Sequence, residues 1–144
     1  MRNKIRAYIS FETALDFHNV IDRNIHTIEY ASLSRDERKS LDGKIHKFWQ
    51  VPEEHFFGFN NIGDNGYFIA EPEKAVLDYI YLCARKGITP DLEDVDWKAL
   101  SKDKLDNYSK RMGVNYKDYL PIDLGKLHHP KYKEVAEDLS SLSV

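Results

Sequence analysis

One stretch decides how the rest of the chain is arranged: Ile69-Ala70-Glu71-Pro72-Glu73-Lys74-Ala75-Val76-Leu77-Asp78-Tyr79-Ile80-Tyr81-Leu82. Pro72 suits the first position of a helix, where its missing N–H has no partner to lose. Glu73 places a negative charge in the first turn, which the helix dipole favours. The residues that follow are apolar on nearly every side, which is typical of a buried helix. Arg85 and Lys86, followed by Gly87, suit the end of that helix, so we predict a central buried helix that stops at the glycine.

Two side chains of this helix need a specific environment. A lone buried carboxylate is costly, so we expect Asp78 to pair with Lys74 one turn earlier or with a group elsewhere in the fold. Cys83 lies among apolar residues and is predicted to be a buried structural thiol rather than a reactive one. It is the single cysteine of the chain, so no internal disulfide can form.

Length and composition are those of an ordinary globular domain. The chain has 144 residues, of which 42% are hydrophobic and 31% are charged, and one domain is expected at this length. The net charge of −3 provides no global basic surface for nucleic acid, so any basic patch must be local. The basic residues near the N-terminus are not followed by an apolar run, so no secretory signal is predicted and the expected location is the cytoplasm.

Before the central helix, the sequence alternates between helical and strand patterns. Ser10 is a good N-cap, and apolar residues from Phe11 to Ile21 fall near one helical face. The pair Asp42-Gly43 predicts a turn. Strand patterns occur in three segments: 25–31, 44–51 and 67–69. Two polar segments lack a strand pattern. Segment 33–41 fits a solvated helical turn or a loop, and segment 60–66 fits a loop.

After the central helix, the apolar spacing is that of amphipathic helices. The residues with this spacing are Trp97, Leu100, Leu105, Tyr108 and Met112. Gly113 is predicted to end this helical part, and a last amphipathic helix is predicted over 131–142 after an irregular segment 122–130. Together the patterns predict a single α+β domain, in which a small, mostly antiparallel sheet packs on the central buried helix and the C-terminal half is helical.

Three motifs in a fixed order resemble a known family. They are Tyr8-Ile9-Ser10-Phe11-Glu12-Thr13-Ala14-Leu15, Phe56-Phe57-Gly58, and the stretch from Ile69 to Asp78, in which Pro-Glu-Lys-Ala is followed by Asp. In this order they resemble the AbiEi-type antitoxins, which are the antitoxin halves of type IV toxin–antitoxin pairs in abortive infection. We therefore predict one AbiEi-antitoxin-like domain over residues 1–144, with its core motifs in 8–86 and a helical tail in 91–144.

The resemblance implies a non-enzymatic domain that neutralises a nucleotidyltransferase-like toxin in phage defence. Members of that family also carry a winged-helix DNA-binding domain before the Tyr-Ile-Ser helix. Residues 1–6 are too few to form a winged helix, so the family's DNA-binding activity is not carried over to this chain. The resemblance therefore implies that the chain is similar to the C-terminal domain of that family, either encoded alone or as a fragment.

Motifs of catalytic and metal centres are incomplete in this sequence. Pro90-Asp91 followed by Glu93 begins like the motif of a metal nuclease, but no Asp/Glu-x-Lys follows on a strand. Asp94 and Asp96 have the spacing of a nucleotidyltransferase metal pair without the Gly-Ser turn that holds phosphate in that class. The histidines lack zinc spacing: His18, His26, His46, His55, His128 and His129. We therefore predict no enzyme and no cofactor.

Eight side chains are candidates for contact with a protein partner or with nucleic acid: Arg35, Arg38, Lys39, Lys44, Lys47, Trp49, Phe57 and Phe59. Basic residues interleaved with aromatic rings can contact phosphates and bases. The neighbouring Asp36, Glu37 and Asp42 dilute this charge, which also fits a solvated surface. The two phenylalanines either anchor an interface or pack under the sheet. The alternative to an antitoxin is therefore a nucleic-acid-binding transcriptional regulator, and a further alternative is a metal-dependent nuclease.

Overall fold

The computed structural model describes residues 6–62 and 67–121. The chain divides into two compact units, Met1–Val114 and Asn115–Val144. The first unit combines a six-stranded sheet with three α-helices, so the predicted α+β class is confirmed. The described part of the second unit contains a 3-10 turn, Lys117–Tyr119. Just before this turn, the side-chain amide of Asn115 donates to the Asp118 carboxylate at 3.1 Å.

The sheet is mixed, and its central strands are parallel to their sequence-distant neighbours. Its strands are β1 Ala7–Ile9, β2 Thr27–Ser32, β3 Glu37–Leu41, β4 Lys44–Gln50, β5 Phe59–Ile62 and β6 Tyr67–Ala70. Their order across the sheet is β3-β4-β2-β1-β6-β5. The pairs β1–β2, β3–β4 and β5–β6 are antiparallel, whereas β2–β4 and β1–β6 are parallel. The prediction of a mostly antiparallel sheet is therefore confirmed.

The helices follow most of the predicted signals, but the first one ends at Phe17 rather than near Ile21. They are α1 Phe11–Phe17, α2 Pro72–Lys86 and α3 Lys102–Met112, with 3-10 turns at Glu53–His55 and Trp97–Ala99. Gly87 and Gly113 end α2 and α3 in the left-handed conformation, at φ values of 73° and 71°. Helix α2 contacts both α1 and α3 and is buried along most of its length, which confirms its predicted central place.

Three short strands differ from the predictions. Segment 33–41 contains β3, residues 60–62 belong to β5, and β1 had no strand prediction. Every residue of β3 is exposed, so no buried face imposes the alternation that would reveal a strand. Both β3 and β5 lie at edges of the sheet, where charged and polar residues are tolerated. Three predictions concern residues that the structure does not describe: the loop at 63–66, the irregular segment 122–130 and the helix 131–142.

The parallel pairing of β1 and β6 brings two helix starts together. Ile9 pairs with Ile69, and α1 and α2 begin just after these two strands. The side chain of Thr13 links α1 to β2. Its hydroxyl donates to the backbone carbonyl of Thr27 at 2.9 Å and accepts from the backbone N–H of Glu29 at 3.0 Å. Helices α1 and α2 therefore begin next to each other and pack together. No helix among the described residues has the length and apolar character needed to cross a membrane.

Candidate functional site

Four polar side chains from two of the motifs meet in the interior of the first unit: Tyr8, Ser10, Lys74 and Asp78. The Lys74 ammonium donates to Asp78 Oδ1 at 2.6 Å and to the Tyr8 hydroxyl at 2.7 Å. The hydroxyls of Ser10 and Tyr8 donate to Asp78 Oδ2 at 2.7 and 2.9 Å. The exposed fraction is 1% for Tyr8 and zero for the other three. We call these four residues the lysine network.

The lysine network provides the partners that the buried Asp78 carboxylate needs. The predicted pairing with Lys74 is confirmed, and two hydroxyl groups complete the hydrogen bonds of the carboxylate. Burial lowers the pKa of Lys74, and the charge of Asp78 opposes that effect. Burial, together with the same carboxylate, raises the pKa of Tyr8 well above its usual value, so its phenol stays protonated and able to donate.

The third motif packs over the lysine side chain. The Phe57 ring centroid lies 5.0 Å from Lys74 Nζ, a cation–π distance. Gly58 has a φ of +75°, and a Cβ on it would lie 3.0 Å from Lys74 Cγ. Its carbonyl accepts from the Glu71 amide at 2.8 Å, just before α2. Residues of all three motifs therefore converge on one lysine.

The role expected for Ser10 needs correction. It occupies the N-cap position of α1 as predicted, but its side chain makes no capping bond to the helix. Its hydroxyl instead donates to Asp78, 68 residues away, because β1 places it directly over α2. Since the network has essentially no exposed surface, its residues hold the sheet to α2 and do not contact a partner in this conformation.

The basic side chains predicted as contact residues lie on or next to the β3–β4 hairpin. We call Arg35, Arg38, Lys39, Lys44 and Lys47 the basic hairpin. All except the half-buried Lys47 are exposed. Arg38 is paired with Lys47 and Lys39 with His46, so successive basic residues point to opposite faces of the sheet. The basic hairpin is thus one edge of the sheet rather than one flat patch.

Trp49 belongs to a half-buried group on the helix side of the sheet. Its indole N–H donates to the Glu29 carboxylate at 3.0 Å. Lys86 at the end of α2 lies 4.1 Å from its ring centroid, and Lys47 lies 5.9 Å away. Burial raises the pKa of Glu29, while the bond from Trp49 opposes that rise. Lys86 had no predicted role beyond the helix end, because only tertiary packing places it over the ring.

Phe57 and Phe59 lie in a different part of the fold from the hairpin. The Phe59 ring stacks on Tyr8 at 4.5 Å, with an interplanar angle of 16°. The Phe57 ring packs against the guanidinium of Arg111 at 3.6 Å and against Tyr108 at 5.2 Å. Both phenylalanines are half-buried, so most of their contacts are internal. The eight candidate residues therefore form no single site, and their contact with a partner stays a prediction.

The acidic residues after α2 take part in an ion-pair group that no sequence pattern predicted. Arg23 bonds to Asp94 at 2.5 Å and to Glu12 at 2.7 Å, and it also donates to the Asp91 carbonyl. The pKa of Asp94 is lowered chiefly by the bond from Arg23. Within residues 6–62 and 67–121, no three His, Cys, Asp or Glu side chains are grouped as metal ligands would be. This group joins α1 to the segment that precedes the Trp97 turn.

The motifs lie in three separate segments, and their side chains meet at Lys74. Neither a known family, nor a curated protein, nor a solved structure matches the chain.

Proposed function

We propose that this chain is an antitoxin-like, non-enzymatic domain that neutralises a nucleotidyltransferase-like toxin of a phage-defence toxin–antitoxin pair. One observation supports the proposal most directly. The three motifs that carry the resemblance to AbiEi-type antitoxins meet at the lysine network, although Tyr8 and Lys74 are 66 residues apart. A chance resemblance of short motifs would not require their residues to meet in space. Their convergence is what a shared structural signature would produce.

The toxin surface then has to be built from side chains outside the motifs. The lysine network is inaccessible, so neutralisation depends on residues that the network positions but does not include. The basic hairpin has four exposed cations interspersed with three acidic residues, and these cations fit acidic groups on the toxin. Such complementarity raises the association rate and selects the partner.

Co-expression with the product of the neighbouring gene, which the proposal expects to be a nucleotidyltransferase-like toxin, tests this proposal. We expect the unaltered chain to restore growth and to co-purify with the toxin. The double variant Arg38→Glu/Lys44→Glu is expected to weaken both effects, because it reverses charge on the hairpin. The variant Lys98→Glu/Lys110→Glu changes the net charge equally at exposed positions elsewhere and is expected to behave like the parent. If the unaltered chain forms no complex and gives no rescue, the proposal fails.

The alternative function is a nucleic-acid-binding regulator, for which the exposure of Arg38, Lys39 and Lys44 on one hairpin is the favouring observation. Phosphate contacts make affinity fall steeply with salt concentration. A regulator would therefore bind a duplex at low salt, and Arg38→Glu/Lys44→Glu would abolish that binding. An antitoxin of the proposed kind would bind the toxin whether or not nucleic acid is present.

A further inference from the structure

We propose that a cleft between the start of β1 and the C-terminal part of α2 binds a nucleoside phosphate. The cleft has a volume of about 490 Å³, within the range of about 300–1,000 Å³ that is usual for small-molecule sites. Two guanidinium groups, those of Arg6 and Arg85, line it together with the ring of Tyr81 and the carboxylate of Glu53. This combination supplies a partner for each chemical part of a nucleotide.

Arg85 is held in place before any ligand arrives. Its guanidinium donates to the Gln50 carbonyl at 2.6 Å and to the Asp36 carboxylate at 2.9 Å. The other oxygen of that carboxylate accepts from the Gln50 amide at 2.7 Å, which fixes the carboxylate in turn. These bonds use two of the five N–H groups of the guanidinium, and the side chain is 32% exposed, which leaves donors for an anion. An oriented arginine loses little freedom on binding phosphate.

Arg6 provides the second cation and is less constrained. It is exposed, and its side chain makes one hydrogen bond with the described residues, to the Ser34 hydroxyl at 3.4 Å. A bond of that length is weak and is readily exchanged for a charge-assisted bond to a phosphate oxygen. One fixed and one adjustable guanidinium can therefore hold a phosphate group between them.

The remaining walls favour a nucleoside over a simple anion. The half-buried Tyr81 ring and the adjoining Val51 and Pro52 offer an apolar wall for a base. The ring is steadied by an edge contact with His55 at 4.7 Å. Glu53 is exposed at the same cleft, where its carboxylate repels a second anion but accepts hydrogen bonds from ribose hydroxyls or a base amino group. A ligand must therefore carry both a phosphate and hydrogen-bond donors.

Titration calorimetry with the full chain tests the site. The probes are AMP, GMP, CMP and UMP, with inorganic phosphate and adenosine as partial ligands. We expect saturable binding of at least one nucleotide that is tighter than binding of either partial ligand. Loss of a charge-assisted bond in Arg6→Ala is expected to weaken binding roughly ten- to a hundredfold. Lys98→Ala removes an exposed positive charge outside the cleft and should leave the affinity unchanged.

Three outcomes would overturn the assignment. No saturable binding at millimolar nucleotide would remove the site altogether. Equal affinity for the parent and Arg6→Ala would place any binding elsewhere. Inorganic phosphate that binds as tightly as the best nucleotide would leave an anion site with no role for Tyr81 or Glu53. Arg85→Lys serves as a second variant, since it keeps the charge, and it is expected to weaken binding because lysine cannot keep both bonds that orient the guanidinium and also offer N–H groups to phosphate.

Discussion

Removal of the positive charge from the lysine network should destabilise the protein strongly. Lys74→Met keeps the length of the side chain but leaves the Asp78 carboxylate buried without its cation. Breaking a buried ion pair from one side typically costs about 3–5 kcal/mol. Two hydroxyls still donate to Asp78, so we expect the lower end of this range, about 3 kcal/mol. With a urea m-value of roughly 2 kcal/mol per molar, the unfolding midpoint should fall by about 1.5 M.

A second ion pair in the same protein provides the matched control. Lys102 and Asp106 have the same spacing of four residues and nearly the same distance, 2.7 Å, but lie on the exposed face of α3. Lys102→Met should leave the midpoint within the error of the measurement, because an exposed pair is screened by water. Chemical denaturation followed by circular dichroism measures both variants. Equal midpoints for Lys74→Met and the parent would refute the account of the network.

The remaining predictions concern a glycine, a histidine and a cysteine. Gly58→Ala should destabilise more than Gly43→Ala in thermal unfolding: both glycines have positive φ, but only Gly58 has Lys74 within reach of an added Cβ. Burial lowers the pKa of His55, so the unfolded chain takes up a proton at a higher pH than the folded protein does. The free energy of unfolding should therefore fall as pH decreases below about 6.5, and the fall should be smaller in His55→Gln; an identical pH profile for the two proteins would contradict this. Cys83 is 2% exposed and burial raises its pKa, so a thiol reagent should modify it slowly in the native state and rapidly in urea. Rapid native modification would show that α2 is more accessible than its packing indicates.

Local signals were sufficient for α2 and its immediate surroundings. Proline at the first position, an apolar run and a terminal glycine are read within one segment, and helix Pro72–Lys86 ends at Gly87 as predicted. The spacing also placed Lys74 and Asp78 on one helical face, since residues four apart share it, and the structure shows that Asp78 pairs there. Strands β4 and β6 were recognisable because their residues are β-formers next to clear turn signals.

The tertiary structure alone decided how distant segments meet. The parallel pairing of β1 with β6 carries Ser10 and Tyr8 over α2, and no local pattern specifies which strands become neighbours. For the same reason, the sequence could not decide whether Phe57 and Phe59 anchor an interface or pack in the core. Edge strand β3 has no buried face, so it had no periodicity to reveal it.

The sequence by itself thus determined the central helix, the spacing that places Lys74 one turn from Asp78, and the order of the motifs. The helix signals and the spacing of Lys74 and Asp78 depend on interactions within about one or two helical turns. The order of the motifs is visible in the sequence itself. The convergence of the motifs on Lys74, the placement of Lys86 over Trp49 and the cleft between Arg6 and Arg85 depended on the tertiary structure. Strand order and the packing of α2 on the sheet create these contacts, and they arise from burial shared among segments that are far apart in the chain.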